Sequence, residues 1–463
     1  MEKHASNNFA DQVAAVLKRR WPIWFTMSIC FLIVYFHRVA PAVVADRLMA
    51  DFAISGAALG NLSAIYLYVY GAMQIPAGIL NDSIGPRRTA IAGMVVAAIG
   101  SLAFAAATSL WFLYLGRFLT GLGVAVIFIS VLTIQGSWFR PREFATMTGL
   151  NSVLGNLGAI MAATPLAFMV IAFGWRMSFQ FTALLTVLVL AGVIVLVKNT
   201  PQELGLPSIN EIVAWEEGRA LEQEPQQVGE RIGVWEGIKI ILRNKYTWPG
   251  FFGFAGIYGT IMAFSGIWGV PYLMQIYDMT RTEAANYMMI FAVGNIVGQP
   301  LVGFISDRMG SRKLPYVISA AVLLLVWLVM TFWNGGKPPV GMLAPLMFVL
   351  ALAGSGFILT WACAKEVNPP SVAGTAMGTV NSAGFIGGAI LQPLFGWALD
   401  LRWQGAILDG AKVYPLEAYQ LGFLLCVGFC VMALIASLLL KETGGRNIYA
   451  EIIKPKAAGQ GRW

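Results

Sequence analysis

Gln74–Arg88 reads QIPAGILNDSIGPRR, and Gln299–Lys313 reads QPLVGFISDRMGSRK. Gln, Gly, Asp, Gly and Arg fall at the same places, and Arg88 stands opposite Lys313. Each stretch closes one long apolar segment and precedes another. A second pair keeps nearly the same spacing: Ala145–Ile160, ATMTGLNSVLGNLGAI, against Thr375–Ile390, TAMGTVNSAGFIGGAI. Met, Asn, Ser, Gly, Ala and Ile coincide there, and Asn151 aligns with Asn381. The chain therefore reads as two related halves, each hydrophobic and each with a basic loop at the same point. That is the sequence mark of a duplicated membrane transporter.

Composition agrees. Of 463 residues 58% are hydrophobic and 12% charged, where a soluble domain carries about 25% charged residues. The mean hydropathy is +0.70. A spanning helix needs about 20 apolar residues. Such stretches lie near 21–44, 56–80, 88–108, 110–138, 145–171, 175–197, 247–277, 282–306, 314–333, 342–364, 371–399 and 415–440, numbered here as spans 1 to 12. Backbone groups in lipid must bond to one another, so these are helices. The expected fold is an all-α membrane protein of twelve transmembrane helices in two pseudo-symmetric six-helix bundles. Its parts are a terminal segment 1–20, a first bundle 21–197, a linker 198–246, a second bundle 247–440 and a tail 441–463.

The net charge is +8. Most of the 31 Lys and Arg fall in the two termini, the linker and the loops after even-numbered spans. The positive-inside rule puts both termini in the cytoplasm of a bacterial-type inner membrane. The charge thus reflects topology and implies no nucleic acid. Cys30, Cys363, Cys426 and Cys430 all fall in apolar segments, which excludes a disulfide framework or a cysteine metal site. No nucleotide loop, metal cluster or nucleophile–base set is visible, so the chain is not read as an enzyme and no cofactor is expected. In the linker, Val234–Leu242 is amphipathic, with Val234, Ile238, Ile241 and Leu242 at helical spacing. It reads as a helix on the membrane surface or a regulatory docking helix.

At this point the chain resembles a twelve-span member of the major facilitator superfamily over nearly its whole length. The family's loop motif after span 2, G-x-x-x-D-R-x-G-R-R/K, is met by Gly78, Asp82, Gly85, Arg87 and Arg88, with Ser83 in place of the first Arg. The second copy, Gly303, Asp307, Arg308, Gly310, Arg312 and Lys313, keeps it. The span 4 motif R-x-x-x-G-x-G appears as Arg117, Gly121 and Gly123. The Asp that follows each apolar helix can hold the basic residues of its own loop or compensate the terminus of a helix from the other half. The resemblance implies alternating access, with Asp82, Arg87 and Arg88 as a latch on the cytoplasmic face; the bland alternative is that these basic loops only set topology. Lys365 and Glu366, in register with Phe139 and Arg140, are a candidate gate pair.

An ionisable group at membrane depth is a functional candidate. Arg38, about 17 residues into span 1, offers a planar fork that suits carboxylate or phosphate. It resembles the Arg of the organic-anion and organophosphate branches. With no comparable Arg in span 7, the two-Arg phosphate clamp is not reproduced, which favours a carboxylate. His37 can carry a proton near neutral pH. Tyr66, Tyr70 and Gln74 share a face of span 2. Asn151, Tyr258, Trp268, Asn295 and Asn381 complete the polar and aromatic candidates. Packing accounts for the same spacings. The expected function is secondary transport of a small organic anion, with protons or an exchanged solute as partner, by a monomer. The rivals are an exporter of amphipathic compounds and a solute sensor that does not transport.

Overall fold

The computed structural model describes residues 2–52, 62, 65, 66, 68–218, 234–408 and 411–453. It is helical almost throughout; a two-residue antiparallel ladder pairs Ile407–Leu408 with Ala411–Lys412. Among the described residues, ten helices are long and apolar enough to cross a membrane. Part of expected span 2, residues 56–61, 63, 64 and 67, lies outside the described residues. Its end is the helix Gln74–Ile84.

Several boundaries differ from the sequence reading. The first helix runs from Glu2 to Val43, so the polar terminal segment continues the helix of span 1. Spans 5 and 6 form one helical stretch, Phe144–Leu196, broken only at Gly174. There φ is 78° and ψ 162°, a conformation that glycine adopts without a Cβ penalty. Span 4 is two helices, Leu110–Ala125 and Ile127–Trp138. Span 7 runs through Trp248–Ala263 and Gly269–Tyr277, with a π turn at Phe264–Trp268 between them; such turns often mark functional sites. The linker holds the amphipathic helix at Val234–Arg243 and a second helix, Ile209–Glu216, which the sequence reading did not foresee. Ser208 caps that second helix, its hydroxyl accepting from Glu211 N at 3.1 Å.

The chain divides into two compact units. The first comprises residues 1–144, 150–238 and 371–378; the second comprises 145–149, 239–370 and 379–463. Each unit thus takes a short piece of a helix whose remainder belongs to the other. Within the first unit, Pro86–Ala105 packs on Leu110–Ala125 through small residues. A Cβ on Gly93 would lie 2.5 Å from Gly123 O, and one on Gly100 2.5 Å from Thr120 N. Helices in lipid gain from such close backbone approach.

Candidate functional site

Span 1 of the first unit carries Tyr35 and Arg38 one turn apart, and span 2 carries Tyr66 and Tyr70. The Arg38 guanidinium lies 4.7 Å from the Tyr35 ring and 5.0 Å from the Tyr70 ring. Tyr66 and Tyr70 stack at 6.0 Å and 17°. Arg117 lies 4.2 Å from the Tyr66 ring. Two guanidinium groups thus lie against three tyrosine rings, each cation against an electron-rich face. Gln74, one turn below Tyr70, is buried and donates to Tyr70 O at 2.7 Å.

The two arginines differ in what occupies them. Pro41 has no N–H, so the carbonyl of His37, four residues earlier, loses its helical donor. Arg117 replaces it: Nη1 donates to His37 O at 2.6 Å and Nη2 to Arg38 O at 3.1 Å. Arg117 is 4% exposed and holds span 1 at its proline. Arg38 is half-buried and presents its charge among tyrosines. His37 turns away from this cluster. Its Nε2 lies 3.1 Å from the Thr186 hydroxyl. That hydroxyl spends its proton on Thr182 O, so His37 donates from Nε2.

Asn151 is buried in a polar chain. It accepts from the Ser28 hydroxyl and donates to Gln135 Oε1 at 2.7 Å; Gln135 donates to Phe144 O. In the second unit, Asn381 accepts from Trp361 Nε1 at 3.1 Å. Tyr258 packs among Phe254, Phe357 and Phe385, with ring centroids 5.1 to 6.3 Å away. Trp268 ends the π turn, stacks on Phe395 at 5.6 Å and donates to Gln392 O. Asn295 reaches only its own helix, donating to Phe291 O at 3.5 Å.

Contacts correct the repeat register. A Cβ on Gly155 would meet Phe31 and Tyr35, and one on Gly384 would meet Phe254 and Tyr258. Gly149 meets Gln299 O as Gly378 meets Gln74 O, and Gly158 meets Leu32 O as Gly387 meets Ala255 O. Gly149, Gly155 and Gly158 therefore match Gly378, Gly384 and Gly387, one residue away from the register set by sequence identity. One residue turns a helix by about 100°, so Asn151 and Asn381 are not equivalents. Tyr35, absent from the sequence candidates, is the equivalent of Tyr258.

The repeated loops each bind the start of a helix. In the first unit, Asp82 accepts from Gly374 N at 2.9 Å, Thr375 N at 2.7 Å and Thr375 Oγ1 at 2.6 Å. A Cβ on Gly78 would lie 2.5 Å from Gly374 O. In the second, Asp307 accepts from Ala145 N at 3.4 Å, Thr146 N at 2.6 Å and Thr146 Oγ1 at 2.7 Å. A Cβ on Gly303 would lie 2.3 Å from Ala145 O. A carboxylate at a helix N-terminus meets the free N–H groups and the positive end of the dipole. Gly85 and Gly310 turn the chain at φ of 88° and 59°.

The cations of the two loops go different ways. Arg312 is 1% exposed. It donates to Asp307, to Ser306 Oγ at 3.1 Å, and from Nε and Nη2 to Glu366 Oε1 at 3.2 Å. Glu366 also accepts from the Thr443 hydroxyl. Glu442 accepts from Ser311 Oγ, Arg312 N and Lys313 N. Burial works to raise the Glu442 carboxyl, but these donors hold it at about 2. In the first unit Arg87 does not reach Asp82: its N–H donates to Asn199 Oδ1 at 2.9 Å and Nη2 to Ile194 O at 2.6 Å. Arg88 is exposed, and the Ser83 hydroxyl turns back to Ile79 O. Burial pushes Asp82 up to about 6. Of the two partners expected for Asp82, the arginines of its own loop and a helix terminus, the helix start is the one observed among the described residues. Arg308 is exposed beside Phe304, and Glu366 pairs with Arg312. Among the described residues no group of His, Cys, Asp and Glu could hold a metal ion.

Comparison with known proteins agrees with this architecture. The glycerol-3-phosphate transporter of Bacillus subtilis (strain 168) is 25% identical over 407 residues, covering 84% of this chain and 85% of that protein. The membrane sensor protein UhpC of Escherichia coli (strain K12) is 26% identical over 385 residues, covering 81% and 84%. The structure of the proton:xylose symporter XylE, 15% identical, superposes with a TM-score of 0.69 over 93% of this chain and 98% of that one. The family model for the Major Facilitator Superfamily matches residues 23–392 and 251–450. With duplicated loops, membrane-spanning helices and that match in one chain, this multi-pass membrane protein belongs to the Major Facilitator Superfamily, a family of transporters and not of enzymes.

Proposed function

We propose that the protein is a secondary transporter of a small organic anion, working by alternating access in a bacterial-type inner membrane with both termini cytoplasmic. The observation that carries this reading is Arg38, half-buried at membrane depth between the rings of Tyr35 and Tyr70. A guanidinium kept from bulk water by aromatic faces binds an anion more strongly than an exposed one. Arg117, spent on two carbonyls, adds no second anion fork. In the corrected register, the span 7 residue that corresponds to Arg38 is Ile261. A single guanidinium at this place matches a carboxylate better than a doubly charged phosphate. Tyr70 and Gln74 are candidates to orient the rest of the solute. Protons or a counter-anion supply the driving gradient.

The second reading is a phosphate monoester, which the Bacillus relative favours. A thermal-shift series on the purified protein separates them. The ligands are sugar acids, sugar phosphates, neutral sugars and lipophilic cations, with Arg38→Ala and Arg38→Lys in parallel. A ligand at 100 times its Kd adds about 2.7 kcal/mol to the folded state. Stabilisation of the wild type by sugar acids, weakened in Arg38→Lys and lost in Arg38→Ala, supports the carboxylate. Stabilisation by sugar phosphates alone replaces it with the ester. An equal response of Arg38→Ala to any ligand removes Arg38 from the site. Uptake of the active class into proteoliposomes is expected; binding without uptake makes the protein a sensor.

A further inference from the structure

The first repeat lacks an acid that the second uses, and the linker supplies one. Glu366, at the end of span 10, pairs with the buried loop cation Arg312. The corresponding residue after span 4 is Arg140, and the counterpart of Arg312 is Arg87. Two cations cannot pair, and Arg87 turns to the end of span 6. Arg140 is 8% exposed, so its charge needs a buried partner.

One partner is local, Glu143 Oε1 at 3.5 Å from Arg140 Nη1; the closer partner comes from the linker helix Ile209–Glu216. Arg140 grips Glu216 with two nitrogens, Nε at 3.0 Å and Nη2 on the other oxygen. Arg142 adds a longer contact at 3.6 Å. The hydrogen bond from Arg140 holds the Glu216 carboxyl below the usual range. Ile209 and Ile212 of the same helix are buried, and Trp215 meets Phe9 of the first helix at 5.6 Å. Glu143 closes the loop itself, accepting from Arg140 N at 3.0 Å and from Arg20 at 2.8 Å. Five residues after Arg140 the chain reaches Ala145 and Thr146, the N–H groups that Asp307 holds.

We propose that Glu216 is a positioning residue of the transport cycle: through Arg140 the linker helix fixes the loop that presents Ala145 and Thr146 to Asp307. The linker then works as a strap, and its release loosens the Asp307 latch. No property of the solute enters this inference.

Hydrogen exchange on the full-length protein in lipid nanodiscs tests it. In Glu216→Gln, exchange in peptides covering 144–150 should rise about tenfold, the effect of losing a charge-assisted bond. Peptides covering 371–378, held by Asp82, should not change. Glu216→Asp, which keeps the charge, should restore much of the protection, and Arg142→Gln should leave it intact. Loosening confined to 209–216, with 144–150 unchanged, overturns the proposal by making the helix a passenger. If Glu216→Gln does not fold, the exchanged pair R140E/E216R carries the test: wild-type protection of 144–150 supports the strap, and its absence overturns it.

Discussion

Asp82 and Asp307 hold the same kind of object in the same way, but among the described residues only Asp307 pairs with a cation. Both cap the start of a helix with three bonds, two from backbone N–H groups and one from a threonine hydroxyl. Asp307 also faces the buried Arg312, itself shared with Glu366. Around Asp82, Arg87 is drawn to the end of span 6, Arg88 is exposed, and the helix start at Gly374 and Thr375 brings no charged side chain. The second site is a neutralised ion network; among the described residues the first is a buried anion held by backbone and hydroxyl dipoles. A repeated motif therefore conserves the mechanical contact while its electrostatics diverge.

The sharpest way to break this contrast is to remove each loop arginine. Arg312→Ala leaves Asp307 and Glu366 buried and facing each other, a loss of about 3–5 kcal/mol for a broken buried pair. Arg87→Ala removes a partly exposed side chain from one carbonyl and should cost about 1 kcal/mol. Thermal unfolding in one detergent reads both. Equal losses would mean that Arg87 also serves Asp82.

Neutralising the two aspartates should separate them further, and pH gives the sign. Asp307→Asn at pH 7 removes a charge-assisted partner of Arg312 and should cost about 2 kcal/mol. Asp82→Asn removes a buried uncompensated anion and should change stability by less than about 1 kcal/mol. With Asp82 at about 6 in the folded chain and an ordinary carboxyl near 3.9 unfolded, the folded chain binds more protons between those values. Stability from this group is thus greatest at the acid end of that window and falls as pH rises through it. Glu442, held at about 2, acts oppositely: its contribution is present above about pH 4.3 and is lost as pH falls. The difference in melting temperature between wild type and Asp82→Asn, followed from pH 4 to pH 7, isolates the first slope. A flat difference would remove the buried-anion reading of Asp82.

How far the sequence carries depends on whether a feature is local. Apolar length and the loop motifs marked the helices and the duplication, because lipid imposes a long-range rule on local composition. Arg38 was legible as a charge at depth, and Tyr66 and Tyr70 as neighbours at helical spacing. Tyr35 lies one turn before Arg38 and is the repeat mate of Tyr258, so its signal was present. Identity matching concealed it by aligning Asn151 with Asn381, where glycine contacts set the register one residue away. The role of Arg117 follows from Pro41 once spans 1 and 4 are neighbours, a fact that no local pattern states. Glu216 was not legible at all: a glutamate in an acidic linker carries no mark of the buried arginine it meets 76 residues away in sequence.

The smallest expected effect tests that corrected register. If Asn151 and Asn381 were true equivalents, replacing either would cost the same. Asn151 both accepts from Ser28 and donates to Gln135, so Asn151→Ala strands two buried polar groups, at about 1–3 kcal/mol for such a site. Asn381 accepts instead from an indole N–H, Trp361 Nε1, which an aspartate can still satisfy. Asn151→Asp sharpens the difference: it can still accept from Ser28, but its carboxylate faces Gln135 Oε1 unless the Gln135 amide flips. That flip would break the bond from Gln135 Nε2 to Phe144 O, where the helix bearing Ala145 and Thr146 begins. Loss of stability in Asn151→Asp beyond that of Asn381→Asp, measured by thermal unfolding at pH 7, is the expected result. Equal losses would restore the register that sequence identity alone suggests.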